Sequence, residues 1–425
     1  MQSTDFSHIC VIGLGYIGLP TATMFANRKV RVTGVDVNAS TVDTVNRGAI
    51  HIVEPDLDIA VHSAVSQGYL RATTEPVPAD AFLIAVPTPF KGEAHEPDLS
   101  HVEAAARAIA PVLQKGNLVI LESTSPVGTT EKMAAWLSEC RPDLTFPQTR
   151  GEISDIRIAH CPEGVLPGKV MQELISNDRV IGGMTRRCAE MAASLYRIFV
   201  RGECVIASGP RVAEMAKLTQ NSFRDVNIAL ANELSFICDR LGMDVWELIR
   251  LANRHPRVKI LQPGPGVGGH CIAVDPWFIV SSAPEEARLI RMAREVNNAK
   301  PEWVLGKVKA AVGAHLMAHP GKTAGQVTIA CYGLSFKADI DDLRESPALE
   351  IVRELAKNHA GPLLVVEPHV TALPAGLEKA RLAEIEDAAA ADVHVMLVDH
   401  AAFKGTARPS GEIVDARGVW VLGTP

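Results

Sequence analysis

The pattern of apolar and polar positions divides the chain into two stretches of alternating strands and helices, with one long amphipathic segment between them. In the first stretch, apolar runs predict strands over residues 8–13, 30–36, 81–86, 118–122 and 158–160. Residues 211–241 contain no Gly or Pro and predict a single long helix. In the last third, further strands are predicted over residues 326–333, 363–367 and 394–398, and a helix over 347–358.

Strands that alternate with helices in this way are typical of parallel, doubly wound sheets. We therefore predict an α/β fold class, with two Rossmann-like doubly wound parallel-sheet domains joined by a long central helix. The expected boundaries are residues 1–205, 206–315 and 316–425, of which the middle region is helical.

Composition and charge narrow the classes of function. The 425 residues are 47% hydrophobic and 21% charged, as expected for a globular protein with well-filled cores. A formal net charge of −7 argues against nucleic acid as a partner, because such binding needs a basic surface. The eight cysteines include no Cys-x-x-Cys pair, which favours free thiols in a reducing, cytoplasmic setting and disfavours zinc, so we expect no metal site.

An uncharged run over residues 9–26 is long enough to suggest a membrane span or a signal peptide. It contains three glycines and Pro20, however, and no basic segment precedes it. A strand, a glycine turn and a helix start explain the run better, so we expect no membrane insertion.

The turn in that run, GLGYIG, fits the pattern G-x-G-x-x-G. The first glycine permits a tight turn, the second allows a pyrophosphate to approach the backbone, and the third lets helix and strand pack closely. The following strand ends in Asp36, whose carboxylate can bind ribose hydroxyls and would repel a 2′-phosphate, which favours NAD over NADP. The alternative is a glycine turn with a capping aspartate. The candidate cofactor residues here are Gly13, Gly15, Tyr16, Ile17, Gly18 and Asp36.

Two threonines follow predicted strands directly. Thr88 lies in VPTP and Thr124 in ESTSP. Because ligands of open α/β sheets bind at the carboxyl ends of the strands, both are candidate site residues, although as bare turn residues they would carry no function.

The long helix carries Lys217, Asn221 and Arg224 at positions i, i+4 and i+7, so the three side chains share a face. A solvated polar face is the ordinary explanation. The apolar neighbours, which include Met215 and Leu230, instead predict partial burial, and a buried lysine is suited to acid–base chemistry.

The stretch GPGVGGHCIAVDP, residues 264–276, surrounds Cys271 with glycines and prolines. Taken alone it leaves three roles open for this cysteine: a structural thiol, a metal ligand or a nucleophile.

The motifs GLGYIGLP, VPTP, ESTSPVGTT, CPE, K-x-x-x-N, GPGVGGHC-x-x-x-D and FKADIDDLRESP occur in an order that resembles the UDP-glucose/GDP-mannose dehydrogenase family over essentially the whole chain. The stretches NRHPRV and QPGPGVGGHCIAVDPWFI are similar to the branch that oxidises UDP-N-acetyl-D-mannosamine. The resemblance implies an NAD-binding domain, a central dimer-forming and catalytic region and a C-terminal domain that binds the UDP-sugar. It also implies that the chain forms a homodimer.

The resemblance also implies the chemistry, a four-electron oxidation of a sugar C6 alcohol to a carboxylate. Cys271 would be the nucleophile that forms a thiohemiacetal and then a thioester. Lys217 would be the base, and Asn221 would help it to stabilise the negative oxygen. Asp275 would orient Lys217 or the hydrolytic water. The residues that would hold that water are Glu163 and Thr124.

Several further residues match substrate or cofactor positions of the family. The substrate set is Gly164, Val165, Lys217, Asn221, Arg224, His255, Arg257, Gly268 and Lys337, and Arg344 matches a residue near the NAD and the subunit boundary. Cys161 is expected to be a buried structural thiol. A pairing of His270 with Cys271 is disfavoured, because adjacent residues of an extended segment point to opposite sides.

One position departs from the branch. Arg is expected directly after Cys-Pro-Glu, but this chain has Gly164 there. Because Arg is a natural partner for a phosphate or an acetamido oxygen, the change bears on activity and on the acetamido preference. The alternatives are a UDP-N-acetylglucosamine or UDP-glucose 6-dehydrogenase, a two-electron hydroxyacid-type dehydrogenase, and an inactive nucleotide-sugar-binding protein.

Overall fold

The computed structural model describes residues 6–92, 95–166, 168–269 and 271–420. The chain divides into two compact units: unit 1 takes Met1–Gln220 and Trp277–Pro284, and unit 2 takes Asn221–Pro276 and Glu285–Pro425. The division into three regions at residues 205 and 315 stays a prediction.

Unit 1 contains ten strands among its described residues. They are β1 (His8–Ile12), β2 (Arg31–Val35), β3 (Leu70–Thr73), β4 (Ala81–Ile84), β5 (Phe90–Lys91), β6 (Glu96–Pro97), β7 (Leu118–Leu121), β8 (Arg157–His160), β9 (Arg179–Gly183) and β10 (Cys204–Ile206). Eight of them form one sheet in the order β10-β9-β8-β7-β4-β1-β2-β3, and β5 pairs with β6 separately.

The sheet of unit 1 is parallel except at one place. β9 runs antiparallel to β8, and β10 is parallel to β9, so the sheet is mixed at this edge. The sequence pattern predicts a parallel sheet throughout. A strand that is buried on both faces has the same apolar pattern in either direction, which is why the reversal is not visible in the sequence.

Helices cover both faces of this sheet. They are α1 (Gly18–Ala26), α2 (Ala39–Asn46), α3 (Leu57–Ser66), α4 (Ser100–Ile109), α5 (Thr129–Cys140), α6 (Pro147–Arg150), α7 (Val170–Ser176) and α8 (Arg186–Tyr196). Alternate residues of β1 enter two different cores, with Ile9 and Val11 in one and Cys10 and Ile12 in the other. This period of two is what a sheet covered on both faces requires.

The predicted long helix is present as α9 (Pro210–Leu241), and the boundary between the two units falls inside it. Leu218 is fully buried, whereas Met215 and Leu230 are 40% and 45% exposed. Parts of the helix are thus buried, as the sequence predicts, whereas Met215 and Leu230 lie on its accessible face.

Unit 2 contains a five-stranded sheet in which every pair is parallel. Its strands are β11 (Ile329–Tyr332), β12 (Leu363–Val366), β13 (Ala380–Leu382), β14 (Val393–Met396) and β15 (Glu412–Asp415). The order β13-β12-β11-β14-β15 puts β11 in the centre, where the direction of winding changes. Such a point opens a crevice at the carboxyl ends of the strands.

The helices that follow α9 are α10 (Val245–Ala252), α11 (Asp275–Ser282), α12 (Arg288–Ala318), α13 (Pro347–Asn358) and α14 (Ile385–Ala388). The fold class predicted from the sequence is confirmed: an α/β chain with two doubly wound sheets and a long helix between them in the sequence. Among the described residues, no helix has the length and apolar character needed to cross a membrane.

Candidate active site

The glycine turn between β1 and α1 has three different reasons for its three glycines. Gly13 adopts φ +91°, which side chains rarely tolerate, and a Cβ on Gly18 would lie 1.8 Å from the Gly13 carbonyl oxygen. At Gly15, by contrast, a Cβ would meet no atom within 4 Å. The open side of the turn is therefore at the middle glycine, where the motif expects a pyrophosphate.

Asp36 follows β2 and holds the same turn. Its Oδ2 accepts a hydrogen bond from the Leu14 N–H at 3.0 Å, and its Oδ1 accepts one from the Asn38 N–H at 2.9 Å. The carboxylate lies beside the open side of the turn and is partly accessible, as a group that is to bind ribose hydroxyls must be. The residues of this turn fit a dinucleotide.

A hydrogen bond joins the two threonine-bearing segments at the strand ends. The Thr88 hydroxyl donates to the Thr124 carbonyl oxygen at 2.6 Å, and the neighbouring Ser123 hydroxyl donates to the Val86 carbonyl oxygen at 2.7 Å. They follow β4 and β7, which are adjacent in the sheet. Thr88 thus fixes the backbone of the segment that carries Thr124.

Lys217 is buried, with 7% of its surface exposed, and its Nζ lies 3.7 Å from Oε1 of the equally buried Glu163. The other carboxylate oxygen of Glu163 accepts the Val165 N–H at 2.7 Å. The site of unit 1 therefore combines an ammonium group with a carboxylate whose orientation the backbone fixes. Such a pair can hold or move a proton out of contact with bulk water.

Glu214, one helical turn before Lys217, is a functional candidate that the sequence did not reveal. It is fully buried and accepts hydrogen bonds from the Gly128 N–H at 2.6 Å, the Thr130 N–H at 2.8 Å and the Thr130 hydroxyl at 2.6 Å. Burial raises the pKa of its carboxyl, although the bonds from Thr130 and Gly128 oppose that rise. The carboxylate fastens α9 to the N-terminus of α5, directly after the segment with Thr124.

A second buried carboxylate, Glu122, lies at the end of β7. The Arg179 guanidinium is 3.8 Å away, and the Tyr196 hydroxyl donates to Glu122 at 3.2 Å. Burial raises the pKa of Glu122 to about 7 against the opposing effect of Arg179. Burial also raises the pKa of the neighbouring Cys161 thiol to about 12, which agrees with the expected structural role of that cysteine.

In unit 2, Cys271 is half-buried and precedes α11, whose first residue Asp275 donates its N–H to the Cys271 carbonyl oxygen at 2.8 Å. The side-chain amide of Asn221 donates to Oδ2 of Asp275. A hydrogen bond thus joins two predicted catalytic residues, Asn221 and Asp275. A third, Cys271, lies four residues before Asp275 and is bonded to it through the backbone. Lys217, Glu163 and Thr124 belong to unit 1.

The glycine loop before Cys271 packs tightly against the segment that leads into α13. A Cβ on Gly268 would lie 2.4 Å from the Glu345 carbonyl oxygen, and the Gly269 N–H donates to the Arg344 carbonyl oxygen at 3.3 Å. The requirement for glycine at 268 therefore has a reason within the protein, whereas the sequence suggested only clearance for a sugar.

Lys337 lies in a loop that follows β11, and buried side chains bond to the backbone of this loop. Glu367, at the end of β12, accepts the Leu334 N–H at 2.7 Å and lies 3.2 Å from Nε2 of His400. Nδ1 of His400 accepts the Asp339 N–H at 2.9 Å. Burial of Glu367 opposes ionisation, but the bonds from His400 and the backbone outweigh it and lower the pKa of Glu367.

Asp339 and His400 also approach His369, and the three side chains offer nitrogen and oxygen atoms within 4.8 Å of one another. Since Nδ1 of His400 already accepts the Asp339 N–H, this cluster acts as a clamp on the Lys337 loop. The sequence contains no short-range signal for it, because its members follow three different strands.

The remaining predicted residues are accessible. Arg224, His255 and Arg257 are exposed, and Arg344 is hydrogen-bonded to Asp342 at 2.9 Å. The exposed Gly164 has an open environment, with no atom within 4 Å of a Cβ placed on it. The suggested partner of Cys271, His270, lies outside the described residues.

Models of the UDP-glucose/GDP-mannose dehydrogenase family match three parts of the chain: the NAD binding domain over residues 7–200, the central domain over 211–299 and the UDP binding domain over 330–421. The chain belongs to the UDP-glucose/GDP-mannose dehydrogenase family. It is accordingly an NAD-dependent nucleotide-sugar dehydrogenase, as the sequence motifs predict.

Relatives within the family are similar over the full length. The chain is 65% identical to the UDP-N-acetyl-D-mannosamine dehydrogenase of Escherichia coli K12, over 98% of this chain and 100% of that protein. It is 63% identical to the NDP-N-acetyl-D-galactosaminuronic acid dehydrogenase of Ralstonia nicotianae, over 98% of this chain and 97% of that protein. The solved UDP-D-ManNAc dehydrogenase of Pyrococcus horikoshii is 38% identical, with a TM-score of 0.85 over 98% of this chain and 96% of that one.

Two glycines of this dehydrogenase's first turn, Gly15 and Gly18, should respond differently to substitution. Gly15→Ala has space for the methyl group, so we expect unchanged thermal unfolding but at least about tenfold weaker NAD binding, because the methyl group fills the open side of the turn. Gly18→Ala must displace the Gly13 carbonyl, so it should lower the free energy of unfolding by about 2 kcal/mol or more. Calorimetric melting and NAD titration test both, and normal NAD affinity of Gly15→Ala would contradict the assignment.

Proposed function

We propose that the protein oxidises the C6 alcohol of UDP-N-acetyl-D-mannosamine to the carboxylate, giving UDP-N-acetyl-D-mannosaminuronate. The observation that carries this proposal is the setting of Cys271: a half-buried thiol in a glycine loop whose far end is bonded through Asp275 to Asn221. A two-electron dehydrogenase needs no positioned thiol, whereas oxidation of an aldehyde to an acid needs a tetrahedral carbon that can lose hydride, which a thiolate provides by adding to the aldehyde.

The first oxidation needs a base for the hydroxyl proton. We assign this role to Lys217, with Glu163, whose Oε1 lies 3.7 Å from Nζ, as the carboxylate that attracts its charged form. The residues that would hold NAD are Gly13, Gly15, Tyr16, Ile17, Gly18, Asp36, Thr88, Thr124 and Arg344. When bound there, NAD would supply the hydride acceptor for both oxidations. The product of this step is an aldehyde at C6.

The second oxidation passes through Cys271. Its thiolate adds to the aldehyde carbon, so that a C–S bond forms and the carbonyl oxygen becomes negative. The Asn221 amide and the Lys217 ammonium group stabilise that oxygen. Loss of hydride from the resulting thiohemiacetal leaves a thioester.

Water then attacks the thioester, the C–S bond breaks, and the thiolate of Cys271 leaves. Glu163 and Thr124 are proposed to hold this water, and Asp275 orients the Asn221 amide. The balance is one alcohol, two NAD⁺ and one water converted to one carboxylate, two NADH and three protons.

The diphosphate of the substrate calls for cations in an otherwise acidic protein. We assign this role to the exposed Arg224, His255 and Arg257 and to Lys337, whose loop Glu367 and His400 hold in place. Gly164 and Val165, beside the Lys217–Glu163 pair, are proposed as further contacts of the sugar.

The choice of sugar rests on similarity. The relatives at 65% and 63% identity carry the names of an N-acetylmannosamine and an N-acetylgalactosaminuronic acid enzyme, so both names specify a 2-acetamido sugar. An NDP-N-acetylgalactosamine-type substrate is therefore a second candidate, ahead of UDP-N-acetylglucosamine and UDP-glucose. An inactive nucleotide-sugar-binding protein would bind these compounds without producing NADH.

We also propose a homodimer formed through α9. Phe223, Leu230 and Ile237 are 70%, 45% and 44% exposed, and they recur every seven residues on one face of the helix. An apolar residue at every seventh position of a long helix is typical of a face that packs against another helix. A cytoplasmic location is proposed because the eight cysteines form no disulfide bond.

The proposed reaction predicts two NADH for each acid. Wild-type protein should show this ratio with UDP-N-acetylmannosamine, and lower rates with UDP-N-acetylgalactosamine, UDP-N-acetylglucosamine, UDP-glucose and GDP-mannose. Cys271→Ser should lower the rate of acid formation by about 10³-fold or more, because an alcohol is a far weaker nucleophile than a thiolate at neutral pH. Coupled NADH and mass-spectrometric assays measure both products.

The matched control is Cys140→Ser, since Cys140 is also a half-buried free thiol but lies in α5. It should keep wild-type turnover. One NADH per substrate with no acid from the wild-type protein would overturn the proposal.

Gly164→Arg should fold normally and improve substrate binding. A Cβ at this position has no neighbour within 4 Å, so the change in unfolding free energy should stay within about 0.5 kcal/mol. A new charge-assisted hydrogen bond should lower KM for the UDP-acetamido sugar by about tenfold. Gly164→Lys, which has the charge without the planar fork, should give a smaller effect. An unchanged KM in steady-state assays of Gly164→Arg would remove Gly164 from the substrate pocket.

Phe223→Asp should convert the dimer into monomers, because it places a charge in the centre of the apolar face of α9. Sedimentation velocity measures the outcome. Ile153→Asp is the control, since Ile153 is 78% exposed but lies away from α9 in the sequence, and it should remain dimeric. A wild-type protein that sediments as a monomer at micromolar concentration would refute the dimer.

A further inference from the structure

Three polar side chains of α9 lie along one face of the helix in unit 2, and two of them are buried and have no role in the reaction as proposed above. Asn221, Asp225 and Asn232 occupy positions i, i+4 and i+11, which fall on one face of an α-helix. Asp225 and Asn232 have no exposed surface at all. Buried polar groups on a helix need partners, and their partners show what they do.

Asn232 joins the helix to the start of the glycine loop. Its Oδ1 accepts the Gly264 N–H at 2.9 Å, and its Nδ2 donates to Oδ1 of Asn297 on α12 at 2.9 Å. A neutral side chain with one donor and one acceptor group is needed for both bonds, and asparagine has that combination.

The far end of the same loop is bonded to the same helix, since Asn221 donates to Asp275. The segment from Gly264 to Asp275, which includes Cys271, is therefore anchored at both ends on α9. The two anchoring residues of the helix lie about 16 Å apart along its axis, at 1.5 Å per residue.

The loop between the anchors is packed too tightly to absorb a displacement. A Cβ on Gly266 would lie 2.8 Å from the Pro347 side chain, and one on Gly268 would lie 2.4 Å from the Glu345 carbonyl oxygen. Segments packed at this density move together with their neighbours. A shift of the loop at Gly264 is accordingly passed along the chain to Cys271.

Behind Asn232, a chain of buried groups fixes the orientation of its amide. Asn297 donates to Oδ1 of Asp225 at 2.8 Å, and Arg294 donates to the same oxygen at 2.7 Å. Oδ2 of Asp225 has no hydrogen-bond partner among the described residues, and burial raises the pKa of Asp225 despite Arg294. A buried ion pair with an unpartnered oxygen contributes little to stability compared with apolar packing, which favours a role in orientation.

We infer that Asn232, oriented by Asn297, is a positioning residue for the Cys271 thiol. The inference rests on the proposed function in that Cys271 acts in the second oxidation. Asn232 does not touch the reacting atoms; it sets the anchor of the loop that presents the nucleophile. Its loss should impair the capture of the aldehyde by Cys271 more than the first oxidation.

The test compares Asn232→Ala and Asn297→Ala with the wild-type enzyme. The first readout is the fraction of oxidised substrate that escapes as aldehyde, trapped with semicarbazide, relative to the acid formed. We expect this fraction to rise about tenfold in Asn232→Ala, since displacements near 1 Å have large effects on a positioned nucleophile. The rate of the first hydride transfer, from single-turnover NADH formation, should fall by less than about threefold.

The second readout does not require the enzyme to turn over. Iodoacetamide alkylation of Cys271, followed by peptide mass spectrometry on substrate-free protein, should become faster by about threefold or more when the half-buried thiol is released from its anchor. If the wild-type protein oxidises no nucleotide sugar, the proposed function fails while this readout still tests the positioning role.

Asn358→Ala is the matched control, because the Asn358 amide on α13 bonds within its own helix, to the Glu354 carbonyl oxygen at 2.9 Å. It should leave both readouts at the wild-type level. Asn297→Ala keeps the acceptor for Gly264 and should show the same changes to a smaller extent, and it carries the test if Asn232→Ala does not fold. Equal slowing of both oxidations with unchanged Cys271 alkylation would show a merely structural role and overturn the inference.

Discussion

The burial of polar side chains along one face of α9 is the constraint on which the rest of the structure depends. A helix that buries Glu214, Lys217, Asp225 and Asn232 would be costly to fold unless each group found a specific partner. Glu214 and Lys217 find theirs on the loops after the strands of unit 1, and Asp225 and Asn232 find theirs within unit 2. Since the partners include backbone N–H groups and side chains of loops, the helix fixes loop positions as well as its own.

These buried polar groups explain why the backbones of the neighbouring loops have few accessible conformations. Apolar contacts are non-directional and allow a loop to slide, whereas a hydrogen bond to a defined N–H does not. The carboxylates of Glu214, Glu367 and Asp36 each receive at least two hydrogen bonds, mostly from backbone N–H groups of the turn that they hold. Within each unit, the loops are thus tied by carboxylate acceptors, which preorganises their backbone.

Much of this fold follows from the sequence, because the apolar periodicity of the strands and of α9 is strong and the glycine turn has a defined geometry. What the sequence does not reveal are groups whose partners lie far away along the chain. Asn232 bonds with Gly264 and Asn297, and Glu214 with Thr130, so their positions look like ordinary polar sites on a helix. For the same reason Met215 and Leu230 look like core residues although they are exposed, since periodicity cannot tell a core face from a face kept for a partner.

The identity of the sugar depends on a much smaller set of atoms than the fold does. Relatives at 65% and 63% identity carry names with different 2-acetamido sugars, so overall similarity does not separate these substrates. Discrimination between such substrates is worth only a few kcal/mol, which one hydrogen bond to a sugar substituent can supply. The Gly164 backbone is held by the Asn177 amide and, through Val165, by Glu163. Because a Cβ on Gly164 would meet no atom within 4 Å, a side chain could be added there without displacing that backbone.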